Sequence, residues 1–168
     1  MKATDIAKYI IAKSDNYGDL ITNKKLQKLL YYVKVWGLVY FKGNGGVIED
    51  QFEAWVHGPV CRDLYNEYRQ YGYNPLRLDY QGISSSEYIK NFKNQLGDND
   101  LHRDMIDLID VVFDKYAPLT SLQLELLSHT EQPWLEAREG LEPIETGYKI
   151  INEETMYKFY SAKINGQE

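Results

Sequence analysis

Residues 53 to 65 read EAWVHGPVCRDLY, and they gather His57, Cys61, Arg62, Asp63 and Tyr65 into nine positions. A cysteine beside a histidine is the pairing used for nucleophilic catalysis. That chemistry requires hydrogen-bond reach between the two and a third group that orients the base. Gly58 and Pro59 stand between them. Glycine supplies a bend, and proline is favoured at the first position of a helix. The expectation is therefore a strand ending near Val56, a corner at Gly58-Pro59, and a helix from Pro59 to about Tyr71. His57 then lies before the corner and Cys61 after it, so their i, i+4 spacing does not place them on one helical face. A structural corner built on Gly58 and Pro59 accounts for the stretch, and no catalytic residue is assigned.

The elements that would position this corner are mostly helical. Thr4 can cap a first helix with Ile6, Tyr9 and Ile10 inward. Thr22 caps a second, running to about Lys42, in which Leu26, Leu29, Leu30, Val33, Trp36, Gly37 and Tyr40 recur at helical spacing. Gly37 inside it suggests the close approach of another element. GNGG at 43 to 46 ends that helix. Val47-Ile48 and Phe52 to Val56 read as a β-hairpin around a turn at Glu49-Asp50. Leu76 to Tyr80 fits a short strand or a loop. Ser84 with Glu87 forms a capping box for a helix ending at Leu96 and closed by Gly97. Asp98 or Asn99 caps the next, from Asp100 to Tyr116. Thr120 with Gln123 gives a second capping box, and Pro133 starts a further short helix. Tyr148 to Ile151 reads as a third strand before a terminal helix capped by Asn152. The fold class expected is mainly α within α+β: one compact domain over residues 1–168, with a small antiparallel hairpin or three-stranded sheet.

Composition narrows the function. The chain has 168 residues, 43% hydrophobic and 26% charged, which fits a soluble globular protein. A single cysteine excludes a disulfide framework and fits a reducing compartment. Thr4, Asp5 and Lys8 interrupt the place where a secretory leader would need apolar residues, and the expected location is the cytoplasm. LLYYVKVWGLVYF at 29 to 41 contains Lys34 and is too short to span a bilayer, so a membrane is not an expected partner. The three histidines lack zinc-site spacing, and the carboxylates Asp100, Asp104, Asp107 and Asp114 read as a solvated helix face. No metal or other cofactor is expected. There is no phosphate-binding glycine loop and no nucleophile elbow.

Charge is uneven. Residues 1–42 carry eight lysines against Asp5, Asp15 and Asp19, a balance of +5, whereas the rest carries 11 basic and 22 acidic residues, −11. Either this marks a partner surface, or basic and acidic faces meet within the fold. Lys24 and Lys28 share one helical face, with Lys25 displaced. A helix-turn-helix over residues 4–34 would need that helix free to enter a groove, and it is too apolar for that. The net charge of −6 argues further against nucleic acid. Aromatics are abundant, with 15 Tyr, 3 Trp and 5 Phe, and such residues anchor protein interfaces.

Three stretches carry a family likeness: NKKLQKLLYYVKVWGLVYFKG, VIEDQFEAWVHGPVCRDLYNEYRQYG and HTEQPWLEAR. Leu26 to Tyr32, Ala54-Trp55 with Gly58-Pro59-Val60, Leu64-Tyr65, and His129 with Pro133-Trp134 follow in the order and spacing of the Panacea domain family. The chain resembles these antitoxin-associated, often phage-borne proteins, which include a SocA-type antitoxin. His57 departs from the pattern, standing where an aromatic is more usual. The resemblance implies a non-enzymatic protein that neutralises a cognate toxin by direct contact, in one studied type as an adaptor to a host protease. Lys28, Trp55, His129 and Trp134 become candidates for a shared groove, because packing alone does not require their polar atoms. Lys24 and Lys28 are the candidate charged contacts, and Tyr32 and Trp134 the candidate aromatic anchors. The alternatives are a nucleic-acid-binding regulator on the lysine-bearing helix, or an enzyme using the corner from His57 to Tyr65.

Overall fold

The computed structural model describes residues 1–96 and 99–166. Eight helices occur among the described residues: α1 (Ala3–Asn16), α2 (Asn23–Phe41), α3 (Arg62–Tyr68), α4 (Ser85–Leu96), α5 (Asp100–Tyr116), α6 (Ser121–His129), α7 (Gln132–Ala137) and α8 (Glu153–Ile164). One two-stranded antiparallel sheet pairs β1 (Glu53–Trp55) with β2 (Gly58–Val60). The mainly helical class with a small hairpin is as expected. No described helix is long and apolar enough to cross a membrane.

The centre is α2. Its N-terminus is fixed by Thr22, whose hydroxyl accepts from the Lys25 amide at 3.3 Å. Leu26, Leu29, Leu30, Tyr31, Tyr32, Val33 and Val35 are all buried, and so are the polar Asn23, Gln27 and Lys28, so most of the circumference of this helix is covered along its first half. It packs against α1, α5, α6, α8, α3 and β2. A helix buried over so much of its surface has to be enclosed by other elements, and this one is. Gly37 lets the chain after α2 return closely: a Cβ there would lie 2.9 Å from the Val47 backbone nitrogen.

The uneven charge resolves inside the fold. Lysines of the first 42 residues meet carboxylates of the rest: Lys13 with Asp110 at 2.6 Å, Lys34 with Glu153 at 2.7 Å, Lys42 with Glu154 at 2.8 Å, and Lys24 with Glu125. Asp110 is a hub, accepting from Tyr9 Oη at 2.8 Å, Lys13 Nζ at 2.6 Å and Lys93 Nζ at 2.7 Å. It ties α1, α4 and α5 together. Asp100, Asp104, Asp107 and Asp114 on the same helix are exposed.

Several local expectations change. The first helix begins at Ala3 after Lys2, without a side-chain cap, so Thr4 lies inside it. The hairpin turn is not at Glu49-Asp50. Val47 and Ile48 are buried in a connecting segment, and the strands that pair flank Val56-His57. Pro59 is a strand residue and helix α3 starts only at Arg62, with Cys61 at its N-cap. Tyr148 to Ile151 does not form a full strand. It makes one bridge, Glu53 to Ile150, with hydrogen bonds from Ala54 N to Lys149 O and from Ile151 N to Phe52 O. Asn99 caps α5, its side chain accepting from Leu101 N. Gly97 as helix terminator and Asp98 as the alternative cap lie outside the described residues. Thr120 and Gln123 form the anticipated capping box, and Asn152 caps α8.

Burial raises the Asp110 carboxyl, but its hydrogen bonds from Lys13, Lys93 and Tyr9 outweigh this and hold it below the ordinary carboxylate value. A carboxyl depressed in the folded state contributes stability above its unfolded pKa and loses it as pH falls through the folded value. Asp110→Asn is therefore expected to cost about 1–3 kcal/mol at neutral pH, since it leaves two lysines facing a neutral amide. The gap between variant and wild type should close on acidification below about pH 4, as followed by thermal midpoints.

Candidate functional site

A cleft of about 750 Å³ opens between the first half of α2, the β1–β2 hairpin, α3 and the loop at 144 to 148. Its geometry follows from the hairpin. Val56 and His57 keep negative φ, and Gly58 follows at φ +93°. That is the pattern of a tight turn closed by a left-handed glycine. A side chain at Gly58 would also collide, since its Cβ would sit 2.6 Å from Lys28 Cε and 2.8 Å from Ser128 Oγ. Pro59 costs the ladder nothing. Its partner Ala54 turns both polar groups away from β2, the amide to Lys149 O and the carbonyl to Arg138 Nη1 at 3.1 Å. A proline without an N–H is tolerated at such a position. Facing away from β1, the Pro59 carbonyl accepts from Lys28 Nζ at 3.2 Å.

Trp55 forms one wall of the cleft. Its ring lies 4.8 Å from Tyr65 and 5.5 Å, edge-on, from Tyr148. The Arg62 guanidinium sits 4.9 Å from the Tyr148 ring and 5.5 Å from Trp55. Glu53 fixes this arrangement by accepting from Arg62 Nε at 2.7 Å and from Trp55 Nε1 at 2.8 Å. The floor is Lys28, 1% exposed and among the largest fully buried side chains. Burial lowers its pKa to about 7, with Glu125 acting in the opposite sense and Lys24 adding to the effect. Lys24 stands at the rim, paired to Glu125.

Of the six residues expected to contact a partner, Lys24, Lys28 and Trp55 line the cleft. Tyr32 is in the core, stacked on Tyr116 at 4.1 Å and donating to Glu131 at 3.2 Å. Trp134 is buried behind the hairpin and holds it from the back by donating to the Trp55 carbonyl at 3.1 Å. His129 stacks on Trp134 at 4.0 Å, and its buried Nε2 has no partner among the described residues. Burial holds the His129 imidazole below its ordinary pKa. Tyr65, read from sequence as part of the corner and of the family pattern, lines the cleft too, as do Tyr148, Arg69, Tyr73 and Ile144, which were not expected as contacts. Their abundance of aromatic rings was visible, but their convergence depends on the loop at 144 to 148, which carries no periodic signal.

His57 and Cys61 do not form a dyad. His57, 72% exposed, pairs through Nδ1 with Glu125 at 3.0 Å. Cys61 is buried, its amide donates to Gln27 Oε1 at 2.9 Å, and burial pushes its thiol pKa up. A protonated, enclosed thiol is a poor nucleophile. The lysine-bearing helix offers no free basic face either. Lys28 is buried, Lys24 is paired to Glu125, and Lys25 lies 3.7 Å from Asp19.

Two expectations test this construction. Gly58→Ala should cost about 3 kcal/mol, combining left-handed strain with the contact to Lys28, whereas Cys61→Ala costs only its packing, about 1 kcal/mol. Lys28→Met should raise stability by about 1 kcal/mol or more at neutral pH, because it removes an enclosed charge. The sign with pH is fixed. The folded lysine releases its proton near 7 and the unfolded one near 10.5, so wild-type stability rises across that window and the advantage of Lys28→Met shrinks. Denaturant midpoints against pH check this.

Comparison with known proteins places the chain. No curated protein and no solved structure is similar enough to count as a match. A family model does match, described as antitoxin SocA-like, Panacea domain, over residues 26–135. The matched segment contains the cleft floor and hairpin, with Gln27, Lys28, Trp55 and Val60, while Ile144 to Tyr148 of the opposite wall lie outside it. With more than half its length covered, the chain belongs to the SocA-like antitoxin family of Panacea-domain proteins.

Proposed function

We propose that this protein binds and neutralises a cognate toxin by direct protein–protein contact, without catalysis, and that the cleft beside Trp55 is the contact surface. Family membership carries this reading. The cleft supports it by supplying what an interface needs: aromatic anchors at Trp55, Tyr65 and Tyr148, with Tyr73 and Ile144 exposed at the rim by 95% and 87%. Buried aromatic anchors dominate binding energy in protein interfaces. The separate engagement of His57 and Cys61 supports a role without nucleophilic chemistry.

The toxin is proposed to be the product of the neighbouring reading frame, in a phage-derived or prophage-borne pair acting in the cytoplasm. Neutralisation is proposed to include delivery of the toxin to a host protease. Co-expression with the neighbouring frame should restore growth, and the two proteins should co-purify. Tyr148→Ala, on the exposed wall, should weaken the complex by about 2 kcal/mol, with little change in thermal midpoint. Undiminished toxicity in cells containing soluble wild-type protein would sink the reading. Delivery predicts a shortened toxin half-life only where the protease is intact.

A further inference from the structure

The cleft floor holds a cation that the fold leaves incompletely satisfied. An ammonium carries three N–H donors. Lys28 Nζ has one acceptor among the described residues, the Pro59 carbonyl at 3.2 Å. An enclosed donor without partners is costly, and a ligand group that satisfies it gains correspondingly. Around Lys28 the cleft is lined by Lys24, His57 and Arg69 and by no aspartate or glutamate. This is a local exception in a chain of net charge −6. Glu125, the nearby carboxylate, is already engaged by Lys24 and His57. Above the floor the walls are apolar, with Trp55, Val60 and Tyr148.

We propose that the cleft seats an extended acidic segment of the toxin, in which an Asp or Glu side chain reaches the Lys28 ammonium while an apolar neighbour lies against Trp55 and Tyr148. This rests on the toxin-binding reading above. A slender carboxylate side chain can reach a lysine that is 1% exposed at the bottom of an aromatic-walled cleft. A duplex phosphate backbone cannot enter to that depth, and the negative net charge repels it. The bound carboxylate supplies Lys28 with a second acceptor beside the Pro59 carbonyl, and it keeps the amine charged.

The test uses the full chain and does not require the toxin at first. Random linear peptides displayed on phage are panned against it, and enriched sequences are synthesised as C-terminal amides. The expected peptides carry Asp or Glu beside an aromatic or branched apolar residue. Their affinity should fall at least about tenfold for Lys28→Met protein. Replacing the peptide acid by its amide should cost the same, with no further loss when both changes are combined. Lys28→Met is expected to be at least as stable as wild type, so lost binding is not lost folding, and thermal midpoints confirm this. The proposal is overturned if no peptide is enriched, if the enriched peptides lack an acid, or if Lys28→Met binds them equally. It is also overturned if binding requires a free C-terminal carboxylate, or if the variant instead loses affinity for duplex DNA. The neighbouring gene product is then used as competitor. A toxin that is neutralised yet not displaced by the peptides contacts another surface and overturns the proposal. Peptides that bind through Lys28 while no neighbouring product is neutralised leave the acid-binding cleft standing and remove the toxin reading.

Discussion

The helix from Asn23 to Phe41 carries four lysines, and two of them, Lys28 and Lys34, are enclosed where a surface helix would keep them in water. Each reaches out to a backbone carbonyl on the chain that follows: Lys34 to Ile48 at 2.7 Å and Lys28 to Pro59 at 3.2 Å. Burying an ammonium is unfavourable unless acceptors meet it. The segment from Val47 to Val60 is therefore held by two charge-assisted bonds as well as by apolar contact. This places the hairpin against the central helix. Trp134 and Arg138 grip the opposite side of the same hairpin through the carbonyls of Trp55 and Ala54. Three short strand residues on each side are too few to persist alone. Here they are clamped between a helix in front and a helix behind, and Trp55 is fixed as a wall.

Much of this architecture was legible in the sequence. The apolar recurrence from Leu26 to Val33 marked a core helix, and Thr22, Thr120 and Asn152 marked helix starts, with Asn99 one of two caps open for α5, because a side-chain oxygen at an N-cap answers a local need of the backbone. The hairpin register was not legible. Its turn, Val56-His57, has neither of the residues usually found at such a turn, and the decisive glycine stands one place later, where proline beside it imitated a helix start. The burial of lysines was hidden for a related reason. Residue type predicts water for a lysine, and only tertiary contact shows that Lys28 and Lys34 lie beneath other elements.

The candidate site was half legible. Lys24, Lys28 and Trp55 converge, whereas Tyr32, His129 and Trp134 carry the scaffold behind them. Tyr32 Oη holds Glu131 and Trp134 Nε1 braces the hairpin, whereas the His129 ring stacks on Trp134 and its Nε2 is unpartnered among the described residues. A motif quoted from sequence thus mixed residues that shape a surface with residues that support it. The wall formed by Ile144 and Tyr148 lies outside the segment matched to the family, so the two sides of one cleft differ in what they share with it.

The three tryptophans sit in unlike surroundings. Trp134 is buried in a stack with an imidazole, Trp36 is hydrogen-bonded to Tyr116 at 3.0 Å, and Trp55 borders the cleft beside two tyrosines. An indole reports its local polarity through its emission, and the other two rings, which do not line the cleft, have little reason to change when it fills. Trp55 is consequently a built-in optical probe. A change of tryptophan emission in the unaltered protein when a partner is added therefore reports whether that wall is wet or covered.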